Sequence, residues 1–156
     1  SKYPGKEDAI DLEQVKKDLA TGKEISKGET ALGKGHYYYL MNFGGLKGDA
    51  LIGYVNDYID IDTDGEYVTM KAINGAKLYY TVAGASDKSM TQLEEPTFNS
   101  EHLEPRQKVV FSCYDFNKNA NRGGLYLKVH AYKNGKLIAI SYESHYMIHI
   151  IPGFYY

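Results

Sequence analysis

The chain has 156 residues with 18 basic and 20 acidic side chains, and only Arg106 and Arg122 offer the guanidinium fork that matches phosphate, so no nucleic-acid partner is expected. Cys113 is the single cysteine, which excludes an intrachain disulfide and a cysteine-built zinc site, and no run approaches the ~20 apolar residues of a membrane-spanning helix. The length suits one domain over 1–156, and sixteen tyrosines without a tryptophan point to a β-rich protein with a polar-aromatic surface.

Ser1-Lys2-Tyr3 opens the sequence without a methionine, which fits a chain trimmed of a leader or otherwise processed; an extracellular or envelope location is the expectation, with a cytoplasmic one as the alternative. DLEQVKKDLATG then spaces Leu12, Val15 and Leu19 on one helical face, with Asp11 as N-cap, Gln14 in a capping-box position and Gly22 as the stop. This predicts a helix over about 11–21 whose apolar stripe needs a sheet to cover. From His36 the period changes, and strands are expected at 36–43, 50–62, 66–73, 76–83, 107–115, 124–133 and 136–150, with a further one at 24–31. GGLKGD joins the 36–43 and 50–62 strands as a glycine-rich turn, and no helix with Lys-Ser/Thr follows to make it a phosphate loop.

The stretch DIDTDGEYV, Asp60 to Val68, begins with the D-x-D-x-D-G spacing of a calcium loop, which gathers hard oxygen ligands around a tight turn. The twelfth position of such a loop is a bidentate Glu, whereas here it is Lys71, and the flanks read as strands, so an EF-hand is excluded. Asp64-Gly65 is instead a two-residue hairpin turn that pairs Ile61 with Val68 and Ile59 with Met70, and leaves Asp60 and Asp62 outward by strand alternation. A β-turn calcium site would have to use Asp60, Asp62, Asp64 and Glu66, and no other cofactor is expected. Asn74-Gly75 reads as the next hairpin turn.

The polar segment 84–106 contains Pro96 and Pro105 and has no sustained period, which is the character of a lid or an edge cover. Cys113 follows in VVFSCYDF, an apolar run that buries an inert thiol. After a turn at 117–124, Asn134-Gly135 closes a hairpin in which Leu125, Leu127 and Val129 pair with Ser144, Tyr142 and Ile140, while Tyr126, Lys128 and His130 pair with Glu143, Ser141 and Ala139. Its second strand is long enough to require a bulge or bend, expected near Ser144. His145 and His149 share parity but lie roughly 13 Å apart along a strand, too far to share one zinc ion unless the chain bulges there.

These elements amount to a mainly-β fold, an antiparallel meander forming a calycin-like barrel or a two-layer sandwich, with one N-terminal helix. The lipocalin signature Gly-x-Trp is missing because the chain has no tryptophan. Two functional readings compete. A non-enzymatic binding module would present Tyr37 and Tyr39, Tyr54 and Tyr58, or Tyr126 and Tyr132 to a protein, peptide, glycan or small apolar ligand. A small hydrolase or nuclease would use His130 with Glu143 or Lys128, assisted by Tyr126, for general acid–base work on one sheet face. A calcium-stabilised adhesion domain is the third expectation.

Overall fold

A computed structural model describes residues 11–13, 50–53, 55–85, 87–90, 92–115 and 124–146. In chain order these give β1 (Ala50–Gly53), the helical turn α1 (Val55–Tyr58), β2 (Ile59–Thr63), β3 (Tyr67–Ala72), β4 (Lys77–Gly84), β5 (Glu101–Leu103), β6 (Lys108–Ser112), β7 (Gly124–Lys133) and β8 (Lys136–Tyr146). The fold is mainly β, with two antiparallel sheets in the orders β1-β8-β7-β4-β5 and β2-β3-β6. No helix among the described residues is long and apolar enough to cross a membrane. Of the helix expected at 11–21 only 11–13 are described; the expected strands at 24–31 and 36–43, the GGLKGD turn up to Asp49, residues 117–123 and everything after Tyr146 lie outside the described residues.

The core lies where the sheets meet. Leu125, Leu127, Val129 and Ala131 of β7 and Leu78 and Tyr80 of β4 belong to the same buried cluster as Ile59 of β2, Val68, Met70 and Ala72 of β3 and Phe111 of β6. Their alternate spacing is the period of a strand with one face inward. Tyr80 and Phe111 join the two sheets directly, ring against ring in a T-shaped contact at 5.7 Å.

Four expectations need correction. The 50–62 segment is not one strand. It breaks at Val55–Tyr58, where Asn56 and Asp57 resist extended pairing, and the helical turn carries the chain from β1 in one sheet to β2 in the other. Tyr58 therefore ends a helical turn and not a strand, and its side chain is 1% exposed, in the core.

The Asp64-Gly65 hairpin is wider than a two-residue turn. Thr63 pairs with Val68, Ile61 with Met70 and Ile59 with Ala72, so each partner is displaced by two residues from the expected register. Asp64 causes this: its Oδ1 accepts from the backbone amides of Glu66 (3.0 Å) and Tyr67 (2.9 Å), closing an Asx-type loop with Gly65 at φ 96°. A displacement of two preserves side-chain parity, which is why Asp60 and Asp62 remain outward.

Asn74-Gly75 makes the expected tight turn, with φ values of 55° and 83° and Ala76 N donating to Ile73 O. It does not make the expected hairpin, because β3 pairs with β2 and β6 while β4 pairs with β5 and β7. The Asn74 side chain donates to Asp57 O at 2.5 Å, tying the turn to α1, so the dipeptide serves as a corner between sheets. The order of strands is consequently not a simple meander.

In the β7–β8 hairpin, the register counted from Asn134-Gly135 holds for Lys133↔Lys136 and Tyr132↔Leu137 and then shifts by one residue, so that Ala131 pairs with Ala139. The extra residue is Ile138, 2% exposed and part of the core cluster. The bulge thus lies beside the turn and not near Ser144. A one-residue slip exchanges the faces of everything beyond it. Glu143 faces Leu127 instead of Tyr126, and His130 faces Ile140.

Candidate functional site

The second face of the five-stranded sheet carries the polar constellation. On β7 the residues between the core positions are Tyr126, Lys128, His130 and Tyr132, and on β4 their partners are Ala83, Thr81, Tyr79 and Lys77. The segment between β4 and β5 lies over this face, with Met90 and Leu93 buried at 1% and 4% exposure.

Three contacts attach it. Lys128 Nζ donates to Leu93 O at 2.6 Å, Thr81 Oγ1 donates to Glu94 O at 2.6 Å, and Glu95 Oε1 lies 2.7 Å from His130 Nε2. Glu95 Oε2 is also 3.8 Å from Lys128 Nζ, and that ammonium sits 4.7 Å above the Tyr142 ring. His130 is 1% exposed and Lys128 is 6% exposed, so both are held in a low-dielectric setting where one carboxylate serves an imidazole and an ammonium. Burial pushes the Lys128 ammonium below its ordinary value, and the Glu95 charge opposes that shift.

The sequence-derived quartet is therefore only partly assembled. His130, Lys128 and the half-buried Tyr126 share a face, but their carboxylate is Glu95 from the overlying segment, and Glu143 is on the opposite face. There Glu143 accepts from Ser141 Oγ at 2.6 Å and lies 3.1 Å from His145 Nε2. The carboxylate stands between hydroxyl and imidazole. In nucleophilic catalysis the imidazole must touch the hydroxyl, so this order does not activate Ser141, whose exposure is 0%.

At one end of the covered face lies an aromatic platform. Phe98 meets Tyr79 edge-on at 5.2 Å and Tyr132 at 5.1 Å, the two tyrosines meet edge-on at 5.6 Å, and His102 of β5 lies 5.8 Å from Tyr79. Phe98 is 69% exposed, the largest exposure among the large hydrophobic side chains described. Beside it, Glu104 bridges Lys77 and His102, each at 3.1 Å. The Tyr79 hydroxyl, and after it Glu104, hold the Lys77 ammonium above its ordinary value.

Of the other residues singled out from the sequence, Tyr37, Tyr39, Tyr54 and His149 lie outside the described residues. Asp60 stands opposite Lys71 and Asp62 opposite Thr69, while Asp64 spends its Oδ1 on two backbone amides, which hold its carboxyl below the ordinary value. Asp60, Asp62, Asp64 and Glu66 do not converge, and among the described residues no three His, Cys, Asp or Glu side chains are grouped to hold a metal ion. Cys113 is 1% exposed, and burial, followed by the Glu66 and Asp64 charges, pushes its thiol up.

Glu95, Tyr79 and Phe98 were missed by sequence reasoning. The available signal was weak: an aromatic residue and a pair of glutamates within a polar, proline-containing segment too long to be a simple turn. Comparison with protein-family models, with curated proteins and with solved structures gives no match.

Proposed function

We propose that this protein is a non-enzymatic binding module, exported or held at a cell envelope, that presents the Tyr79–Phe98–Tyr132 platform to a glycan. The proposal also takes the two sheets as the layers of a sandwich, closed at one end by the N-terminal helix. The observation that carries the functional reading is Phe98, which leaves 69% of its surface in water while its ring is braced by two tyrosines. An exposed aromatic group already fixed in place offers contact area at little further entropy cost, and His102, Glu104 and Lys77 supply hydrogen-bonding groups at its edge. An apolar ring face flanked by polar groups suits a sugar ring, which has apolar C–H faces and hydroxyl edges.

A hydrolase or nuclease based on His130 has less support. Substrate could reach that imidazole only if the segment carrying Glu95 lifted away from the sheet, because His130 is 1% exposed and Glu95 occupies its Nε2. The test of the binding reading is a glycan array probed with the unmodified chain and with Phe98→Ala. Retention of a defined set of glycans that the variant loses supports it; the same pattern from both proteins, or no retention by either, contradicts it.

A further inference from the structure

β4 outlasts its edge partner. β5 pairs with it only through Leu78, Tyr79 and Tyr80. Extending that register would bring Asn99 opposite Val82, but the chain turns away first: Ser100 N donates to Thr97 O, Thr97 N to Ser100 Oγ and Asn99 N to Thr97 Oγ1, at 3.0, 2.8 and 3.2 Å. A cleft of about 280 Å³ opens in the place a longer β5 would fill, walled by Thr81, Val82, Lys88, Leu93, Glu94 and Glu101 among others.

The direction of the Val82 backbone follows from the ladder. Ala85 N donates to Gly124 O at 3.1 Å, so these two face each other as a hydrogen-bonded pair. With period two, Ala83, Thr81, Tyr79 and Lys77 also turn their amides toward β7, and the residues between them turn theirs the other way. Leu78 and Tyr80 thereby meet β5, and the Gly84 carbonyl accepts from Asp87 and Lys88 on that same side. Val82 points its N–H and C=O into the cleft. Among the described residues no strand lies along it there.

We propose that this strand edge is a second binding site, distinct from the platform, which takes an extended peptide segment bearing a cationic side chain. One peptide residue adds to β4 opposite Val82 through two backbone hydrogen bonds, the arrangement by which an exposed sheet edge accepts a further strand. Val82 and Leu93 give its apolar contact. Glu94 and Glu101 outweigh Lys88 in the wall, so the site favours lysine or arginine over an acidic residue beside the paired one.

The experiment is an NMR titration of the ¹⁵N-labelled full chain with the blocked tripeptide Lys-Val-Thr. The expected result is a saturable shift of the Val82 amide, with weaker changes at Glu101 and Leu93. Val82→Pro removes that N–H on a side where no ladder bond uses it, so the fold persists and binding is lost. Glu101→Gln weakens binding about fivefold. Phe98→Ala, which disables the platform, leaves this titration unchanged, so failure of either site is read separately. Should Val82→Pro lose its native spectrum, the double variant Glu94→Gln/Glu101→Gln decides, and retained affinity in it overturns the proposal. No saturable shift at about 5 mM peptide, or equal binding when glutamate replaces the peptide's lysine, also overturns it.

Discussion

Glu95 and His130 are 35 residues apart in sequence, yet their Oε1 and Nε2 atoms lie 2.7 Å apart, one from an irregular segment and the other from the middle of a strand. This contact, together with Lys128, fixes the segment that bears Phe98. The position of the proposed platform therefore depends on a buried polar cluster beneath the segment, away from the exposed Phe98 ring.

Removing Glu95 should be costly. Glu95→Ala leaves the Lys128 ammonium and the His130 ring beneath the segment without their carboxylate, and uncompensated groups of this kind cost about 3 kcal/mol. Urea unfolding of the variant checks this. Lys128→Met, which removes the buried charge along with its bond to Leu93 O, should cost less than Glu95→Ala.

Lys128 also gives a pH signature. Its folded-state value is lowered from 10.5, so between that lowered value and 10.5 the unfolded chain binds the proton more tightly than the folded one. Stability contributed by this group therefore rises as pH rises through that window. Tyr80 and Tyr132 have values raised above 10.0, chiefly by burial, and act in the opposite direction because the folded state holds their protons longer. The Lys128 contribution is isolated by subtraction: the difference in unfolding free energy between the parent chain and Lys128→Met should move in the parent's favour as pH approaches 10.5.

How much of this could be read from the sequence depended on the range of the interactions involved. Strand parity in β3, β4 and β7 follows from alternating residues, and turn chemistry at Asn134-Gly135 fixed the hairpin's tip. The register beyond the tip was hidden because burying Ile138 in the core is a tertiary gain that no local pattern records. For the same reason Glu143 was paired with Tyr126 and the true partner of His130 went unnoticed. Asn74-Gly75 shows the matching limit, since its conformation is local but the strands it separates are chosen by the sheets they join.

Positive backbone angles allow a cleaner test. Gly135 has φ 77° and no atom within 4 Å of where a Cβ would sit, so Gly135→Ala meets conformational strain and no clash. It should lose about 1 kcal/mol, read as a lower denaturation midpoint with an unchanged slope.

Calcium should not stabilise the Asp60–Glu66 stretch. Asp64 already gives its Oδ1 to two amides, and Asp60 and Asp62 lie along an outward strand face. Thermal melts in millimolar calcium and in chelator should coincide, whereas a site formed only in the folded state would raise the melting temperature.

Affinity for one array-selected glycan, measured for the parent chain, Phe98→Leu and Phe98→Ala, shows whether the exposed Phe98 ring carries the proposed binding. Loss of the aromatic ring should weaken binding at least about tenfold in both variants while melting temperatures stay close to the parent's, because a side chain 69% exposed contributes little to the core. Undiminished affinity in Phe98→Ala would mean that the platform is not where the glycan binds.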